Sequence, residues 1–436
     1  MKPKILLVNP PIYDFAAYDF WLKPHGMLNV AGMLRPIADL YLFDTMDRTA
    51  PHFDPEGVIK TTEYNTGPYP FKKIPNPESL KDIPRYFRRY GIPRNVFRDY
   101  LSHNGPFDCV LIQTMMTYWY LGYKEVIEDI RTTCPQAKTV LGGFYATACH
   151  DHAQSLGADA IIKGDDHEPL WGLLGQKPPA GMHLPAWELY PKLNAATMKL
   201  TKGCPFQCSY CYVPQSEETF QTRPIDECLA ELKQLVELGV TDIAFYDDAL
   251  LYQPELTLLP FMQSVIENNI QVNFHTPNAL HARYMTADIA KAMVAAGTKT
   301  FYLGFESRSE KFHKETGSGK VISDELAKAV EHLRSAGADP QHITAYEMVG
   351  HPLADVQQLE PSMRFANSLG IRIMLSDFSP IPGTPDGELC RKYTDLDEPL
   401  NHNKTAFPIR FLTFDKVNYY KNLCRKLNRQ IKGQNE

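Results

Sequence analysis

The sequence predicts two α/β domains: an N-terminal Rossmann-like, doubly wound parallel sheet, then a partial (β/α)6 TIM-type barrel with a helical C-terminal tail. Three observations support this prediction. Short apolar runs alternate with segments of helical period along most of the chain, as in βα units with parallel strands. A stretch rich in Pro and Gly interrupts the series once. The 436 residues also exceed the roughly 250–300 residues at which a single core stops growing.

The first domain is predicted over residues 1–165. Its expected strands are Lys4–Asn9, Leu40–Phe43, Cys109–Gln113, Thr139–Leu141 and Ala158–Ile162, and its expected helices are Gly26–Leu34 and Tyr123–Thr132. Residues from about 50 to 106 are rich in Pro, Tyr and charge. We interpret them as an insertion with one or two short helices over the sheet edge.

Residues 166–196 are predicted to be a linker, and residues 197–385 to form the barrel. The expected barrel strands are Thr197–Leu200, Asp242–Tyr246, Val272–Thr276, Thr300–Phe305, Ile343–Met348 and Ile371–Phe378. Amphipathic helices are expected between them at Ile225–Leu238, Ala287–Ala296 and Asp324–Ala336. Residues 386–436 form the tail, which ends in a basic helix at Phe414–Ile431.

Composition narrows the function classes. The formal net charge is −6 and no basic stretch marks a nucleic-acid footprint, which argues against nucleic acid as a partner. No apolar run approaches the ~18 residues of a membrane span, and the N-terminus does not read as a signal peptide. We therefore expect a cytoplasmic protein, in which the nine cysteines are thiols or metal ligands rather than disulfides.

One cysteine group is tightly clustered. The segment TKGCPFQCSYC places Cys204, Cys208 and Cys211 within eight residues, directly after a predicted strand, and Gly203 allows a sharp turn into the loop. Three thiolates on a four-iron cluster leave one iron open to chelate a small molecule through an amine and a carboxylate. The alternatives are a zinc knuckle, which lacks a nearby fourth ligand, and unconnected core thiols.

This C-x3-C-x-aromatic-C pattern resembles the radical SAM superfamily, with Tyr210 as the aromatic residue that packs near the adenine. The motifs PAW at 185–187 and PIPGTP at 380–385 resemble the subgroup that carries an N-terminal cobalamin-binding-type domain. The resemblance implies a [4Fe-4S] cluster on Cys204, Cys208 and Cys211 and S-adenosylmethionine (SAM) as cofactor.

The carboxyl ends of the barrel strands supply candidate ligands for SAM, since functional groups gather there in parallel βα barrels. Asp247 and Asp248 suit the ammonium group, although an Asp at a strand end equally serves as a helix cap. Asn278 suits the ribose, and Arg283 suits the carboxylate unless it forms a surface ion pair. The further candidates are Glu306, which the resemblance places near the ribose or ammonium, and Gly350, for a backbone contact to adenine.

In the first domain, the resemblance implies cobalamin. The histidine motif D-x-H-x-x-G aligns best with Asp44–Thr49, where Met46 replaces the histidine, so histidine ligation of cobalt is not expected. Candidate cobalamin contacts are Asn9, Thr114, Thr117, Gly142, Gly143 and Thr147. The alternative is a domain that keeps the sheet without the cofactor.

The resemblance thus predicts reductive cleavage of SAM to a 5′-deoxyadenosyl radical, and cobalamin-dependent methylation of an unactivated carbon in a small molecule. A flavodoxin or ferredoxin would donate the electron. Two alternatives remain: radical rearrangement, cyclisation or C–C or C–S bond formation without cobalamin, and a non-catalytic corrinoid or iron–sulfur sensor. A methylthiotransferase would need three further cluster cysteines, for which Cys109, Cys134 and Cys149 are poor candidates.

Overall fold

The computed structural model describes residues 2–54, 56–216, 219–317 and 323–433, which form two compact units. Unit 1 comprises Met1–Asn194, Lys233–Val240 and Leu396–Asn403, and unit 2 comprises Ala195–Leu232, Thr241–Asp395 and Lys404–Glu436. Each unit contains a parallel sheet with helices, so the predicted fold class is confirmed.

Unit 1 is built on a five-stranded sheet in which every neighbouring pair of strands is parallel. Its strands are β1 (Lys4–Asn9), β2 (Asp39–Asp44), β3 (Cys109–Thr114), β4 (Lys138–Gly143) and β5 (Ala160–Ile162). Their order in space is β2-β1-β3-β4-β5. This is the flavodoxin-like order, in which a crevice opens where the winding direction reverses between β1 and β3.

Helices cover both faces of this sheet because its strands are apolar on both sides. The helices are α1 (His25–Leu34), α2 (Arg94–Asn104), α3 (Tyr120–Thr133), α4 (Phe144–Ala148), α5 (His150–Ser155) and α6 (Glu168–Leu174). Ile5 belongs to the core that contains α1 and α6, and Leu6 belongs to the core that contains α2 and α3. Successive side chains of β1 thus pack into the cores on opposite faces of the sheet.

Two parts of unit 1 differ from expectation. The insertion contains strands as well as α2: Phe87–Tyr90 pairs antiparallel with both Phe71–Ile74 and Ile12–Asp14. The expected linker begins with α6, whose Trp171 is buried in the core. The strands of the insertion are stabilised by pairing with Ile12–Asp14, which lies far earlier in the chain. Helix α6 is stabilised by burial of its apolar face.

Unit 2 is a six-stranded parallel sheet in which chain order equals spatial order. The strands are β6 (Ala195–Met198), β7 (Asp242–Phe245), β8 (Asn273–His281), β9 (Thr298–Glu306), β10 (Ile343–Val349) and β11 (Arg372–Asp377). β6 and β11 are therefore the two edges of an open barrel. No helix in the described part of the chain is long and apolar enough to cross a membrane.

The remaining helices are α7 (Ile225–Glu237), α8 (Leu258–Glu267), α9 (Ala287–Ala295), α10 (Glu310–Glu315), α11 (Ser323–Ser335), α12 (Leu359–Ser368), α13 (Pro385–Glu388), α14 (Ala406–Leu412) and α15 (Phe414–Gly433). The last of them covers the edge strand β11. Asn428 of α15 bonds both the N–H and the C=O of Ile373, at 2.9 and 2.8 Å. An exposed edge strand is thereby blocked.

Candidate active site

The three clustered cysteines lie on one loop at the carboxyl end of β6. The loop begins after the two-residue strand Thr201–Lys202, which pairs antiparallel with Gln221–Thr222. Gly203 has φ +69°, in the left-handed region where glycine carries no steric penalty. The cysteines therefore stand at the end of the barrel where βα folds place their chemistry.

The donor set fits an iron–sulfur cluster. None of the three cysteines forms a disulfide; Cys208 is buried, and Cys204 and Cys211 are partly exposed. Among the described residues, no three His, Cys, Asp or Glu side chains converge as a single metal ion requires. A cubane makes a different demand, because each thiolate binds its own iron at a separate corner.

Asp247 joins the ends of the first two barrel strands. Its Oδ1 accepts hydrogen bonds from the Leu200 and Thr201 N–H groups and the Thr201 hydroxyl, at 2.8, 2.6 and 2.7 Å. Its Oδ2 is buried without a hydrogen-bond partner among the described residues. Burial raises the pKa of this carboxyl to about 6, against the lowering effect of the Thr201 hydrogen bond. Asp247 is thus largely committed to holding β6 and β7 together.

Of the next three predicted SAM ligands, two lie near the strand ends and one lies at the surface. Asp248 is partly exposed, with Lys199 Nζ 3.6 Å from its Oδ2. Asn278 donates from Nδ2 to the Asp247 carbonyl at 2.7 Å, so it lies beside that strand end. Arg283, by contrast, is 43% exposed and pairs with Glu325 at 2.7 Å. In this structure Arg283 forms the surface ion pair that the sequence analysis gave as the alternative. We therefore do not include Arg283 in the proposed SAM site.

Glu306 and Gly350 line a common pocket at the carboxyl ends of β9 and β10, together with Ser307, His351 and Asp355. Glu306 is only 7% exposed and has φ +65°, an uncommon conformation for a residue with a side chain. Such strain is typical of functional positions. Both residues are therefore placed where a SAM ligand is expected.

Glycine at position 350 is required by packing as well as by backbone conformation. Its φ is +84°, and a Cβ would lie 2.6 Å from the Pro408 side chain of α14. Tyr210, the aromatic residue of the cluster loop, is partly buried and meets the His351 ring edge-to-face at a centroid distance of 6.0 Å. The predicted adenine-side residues Tyr210 and Gly350 are thus linked through His351.

A separate pocket lies in unit 1 at the switch point between β1 and β3. It is lined by Asn9, Pro10, Pro11, Ile12, Leu22, Lys23, Met46, Tyr69, Gln113, Met115, Trp119 and Tyr123. Asn9 ends β1, and Gln113 belongs to the last residues of β3. Ligands of open α/β sheets bind at such a point, outside the carboxyl ends of the strands.

Of the six predicted cobalamin contacts, only Asn9 lines this pocket. The Thr114 hydroxyl bonds the Gly142 carbonyl at 3.0 Å, and the Thr117 hydroxyl bonds His402 at 2.9 Å. The Thr147 hydroxyl bonds the Gly143 carbonyl at 3.1 Å. At Gly143, which has φ +111°, a Cβ would lie 2.1 Å from the Thr114 carbonyl. These residues hold β3, β4 and the following turns together.

Several residues of the two sites were not predicted. Gln113 is a polar residue near the end of an apolar strand, so the strand-end rule would have identified it. Lys23 and Asp386 carry no such signal, because their placement depends on segments distant in sequence. Lys23 is 8% exposed beside Asp47 in unit 1, and Asp386 is 2% exposed in unit 2, where its Oδ2 lies 2.6 Å from the Ser209 hydroxyl of the cysteine loop.

Comparison with known proteins identifies one domain of the chain. Residues 198–366, which contain all three clustered cysteines and β7 to β10, match the radical SAM superfamily. The chain therefore contains a radical SAM domain. A [4Fe-4S] cluster and SAM are the cofactors that this domain implies.

Relatives extend the similarity beyond the radical SAM domain. An uncharacterized methyltransferase of Pyrococcus horikoshii is 23% identical over 430 residues, covering 90% of this chain and 87% of the relative. The tRNA-2-methylthio-N(6)-dimethylallyladenosine synthase of Aquifex aeolicus is 28% identical over 205 residues, covering 44% of this chain and 45% of the synthase.

Solved structures share the two-domain fold. The radical SAM methyltransferase TsrM of Kitasatospora setae, solved with cobalamin and a [4Fe-4S] cluster, has a TM-score of 0.63 at 14% identity, over 90% of this chain and 75% of TsrM. The cobalamin-dependent radical enzyme OxsB, solved with aqua-cobalamin and SAM, has a TM-score of 0.56 at 11% identity, over 98% of this chain and 61% of OxsB. The fold is therefore that of cobalamin-dependent radical SAM enzymes.

Proposed function

We propose that this radical SAM enzyme binds cobalamin in unit 1 and methylates an unactivated carbon of a small molecule. The observation that carries the proposal is the switch-point pocket between β1 and β3, in a chain whose second unit presents the radical SAM cysteine loop. TsrM and OxsB, which share this fold, are described with cobalamin bound.

In unit 2, Cys204, Cys208 and Cys211 would hold the cluster, and Tyr210, Asp248, Asn278, Glu306 and Gly350 would surround SAM. When bound, the cluster and SAM supply reductive cleavage of the sulfonium, which produces a 5′-deoxyadenosyl radical. The protein residues orient the cofactor and exclude water. Glu306 is suited to hold an ammonium or ribose hydroxyl because its carboxyl lies at the wall of the strand-end pocket.

In unit 1, the pocket lining fits a corrin without a histidine ligand. Met46 occupies the histidine position of D-x-H-x-x-G and is itself part of the lining. The Asp44 carboxylate, which would orient that histidine, instead accepts from Asn9 at 2.7 Å and from Tyr190 at 2.6 Å. The Lys23 ammonium and the Gln113 amide supply polar groups for the amide- and phosphate-bearing rim of cobalamin.

The three cysteines of unit 1 do not support a second cluster of the kind that a methylthiotransferase needs. Cys109 lies in the core strand β3, and Cys134 follows α3 with its thiol 3.9 Å from the Leu101 carbonyl. Burial raises the pKa of Cys109 and Cys149 to about 12. Apolar burial disfavours the thiolate that a second cluster would require.

The test separates the two cofactors. Anaerobically purified protein is reconstituted with iron and sulfide, reduced, and assayed for 5′-deoxyadenosine from SAM. The proposal expects cleavage by the wild type and none by Cys208→Ala, whereas Cys134→Ala, in unit 1, retains the cluster. The same protein, mixed with hydroxocobalamin and passed through gel filtration, should retain the corrin absorption band.

Each failure points to a different alternative. Cleavage of SAM without a retained corrin band would favour radical chemistry that does not use cobalamin. Iron uptake without cleavage would favour the sensor. Substrate and electron donor are proposed by class only: a small molecule and a flavodoxin or ferredoxin.

A further inference from the structure

We propose that Asp386 and His351 form a positioning pair that holds the cluster loop through Ser209, and thereby joins the two open edges of the barrel at the cluster end. The inference rests on the proposed function of the cysteine loop. It concerns three residues that none of the comparisons assigns. All three belong to unit 2.

Ser209 lies between the second and third clustered cysteines and has each of its polar groups bonded. Its N–H donates to the Thr316 carbonyl at 2.9 Å, and its carbonyl accepts from the Asp386 N–H at 3.1 Å. Its hydroxyl lies 2.6 Å from Asp386 Oδ2 and 3.1 Å from the Thr316 carbonyl. The shorter distance indicates that the hydroxyl group donates its hydrogen bond to the Asp386 carboxylate rather than to the Thr316 carbonyl.

His351 fixes Asp386 from the opposite side. Its Nδ1 accepts from the Leu353 N–H at 3.2 Å, so its proton is on Nε2, which donates to Asp386 Oδ2 at 2.9 Å. Both side chains are nearly completely buried, at 1% and 2% exposure. The His351 ring is edge-packed against Phe312 and Phe378, at centroid distances of 5.0 and 4.5 Å.

The bonded segments come from opposite edges of the sheet. Ser209 follows β6, the first edge, and Asp386 lies in α13, after β11, the last edge. His351 follows β10. β6 and β11 are not paired with each other. The Ser209–Asp386 hydrogen bonds therefore connect the segments that follow these two edge strands. They act directly beside Cys208, whose carbonyl accepts from Cys211 N–H at 3.0 Å.

A buried carboxylate with two donors is held in one orientation, because leaving either hydrogen bond unmade costs free energy. The pair can therefore restrict the Cys208–Cys211 segment to the geometry that a cubane needs. Residues outside the ligand set of a metal site commonly control affinity in this way. The buried negative charge also disfavours adding an electron to a nearby cluster, since net charge helps set the potential.

The test compares Ser209→Ala with the hydroxyl-retaining Ser209→Thr in the reconstituted full chain. Iron affinity in competition with a chelator should be roughly 10–100-fold weaker for Ser209→Ala, the range found when outer-shell partners of metal ligands are removed, and close to wild type for Ser209→Thr. Asp386→Asn should make the cluster potential less negative and alter the electron paramagnetic resonance (EPR) spectrum of the reduced cluster. The control Asp339→Asn removes an exposed charge elsewhere in unit 2 and should change neither.

The melting temperature of the iron-free protein separates positioning from general stability. The proposal expects Ser209→Ala to melt only slightly below Ser209→Thr without iron, because one hydrogen bond is lost, and to bind iron far more weakly than this small difference explains. Equal iron affinities for wild type and Ser209→Ala, with an unchanged potential in Asp386→Asn, would overturn the inference. A wild type that takes up no iron would instead overturn the proposed function.

Discussion

At the scale of single residues, Glu347 carries a fully buried carboxyl group within β10. Burial and, to a smaller extent, the neighbouring Glu306 carboxylate raise its pKa to about 8, against the lowering effect of the hydrogen bond from Ser362. The folded group therefore keeps its proton at pH values where the unfolded chain, with a pKa near 4.5, has lost it. Stability consequently falls as pH rises through this window, by up to about 1.4 kcal/mol per pH unit.

Glu347→Gln removes this ionisation while keeping the size of the side chain. We expect the free energy of unfolding of the variant to exceed that of the wild type by an amount that grows from pH 5 to pH 8. Urea denaturation at several pH values measures this difference. Glu331→Gln, on an exposed position of α11, is the control and should show no such growth. A difference that is constant over this range would contradict the raised pKa.

Met46 tests the placement of the corrin. Met46→His restores the histidine of D-x-H-x-x-G in a pocket that holds Met46 at 5% exposure. With bound cobalamin reduced to the cobalt(II) state, the EPR spectrum should gain nitrogen splitting, which 15N-labelled histidine would alter. Met115→His, on the same pocket, is the matched control. Splitting only in the control would place the cobalt against the other wall.

At the scale of elements, α1 is held by a close crossing. A Cβ at Gly32 would lie 2.2 Å from the Leu184 carbonyl, and the Ala186 N–H donates to the Leu28 carbonyl at 3.0 Å. Gly26, on the same helix, has no neighbouring atom within 4 Å of its Cβ position. The segment that contains the PAW motif can therefore approach the α1 backbone only where a glycine leaves room.

These two glycines predict opposite effects of the same substitution. Gly26→Ala should stabilise unit 1 by about 0.5–1 kcal/mol, because alanine is the better helix former. Gly32→Ala should destabilise it by about 1–3 kcal/mol, because the methyl group overpacks the crossing. Thermal or urea unfolding of the two variants measures the difference. Equal stabilisation by both would show that the crossing relaxes freely.

At the scale of the whole molecule, the chain returns to unit 1 after completing most of unit 2. The segment Leu396–Asn403 belongs to unit 1, where His402 and Asn403 are fully buried. His402 Nε2 donates to the Leu396 carbonyl, so its Nδ1 accepts the Thr117 hydroxyl. Asn403 Nδ2 donates to Asp14 at 2.8 Å. A fragment that ends at the first unit boundary therefore lacks part of its own core.

Asn403→Ala removes one hydrogen bond from the buried Asp14 carboxylate. We expect a loss of about 1–3 kcal/mol, and faster amide hydrogen exchange in unit 1 than in unit 2. Exchange followed by mass spectrometry separates the two units. Asn422→Ala, at an exposed site on α15, should leave both exchange patterns unchanged. Uniform acceleration over both units would argue against a local role.

Much of the fold could be predicted because βα units have a local signature. β1 has the predicted bounds, and each barrel strand overlaps its prediction. The antiparallel strands Phe71–Ile74 and Phe87–Tyr90 were missed because charged residues obscure their alternation and their partner Ile12–Asp14 lies far earlier in the chain. The sequence contains the residues of this sheet but no local sign of the pairing.

The amino-acid sequence by itself predicted the radical SAM domain and its candidate cluster ligands, because three thiols within eight residues must share a loop wherever it is placed. Only the tertiary structure decided which polar side chains line a pocket. Asp247, Arg283 and Thr114 form bonds within the protein and line neither pocket, whereas Glu306 and Lys23 do line pockets. The physical reason is that a hydrogen-bond partner can come from any part of the chain: Asp386 meets Ser209 across 177 positions.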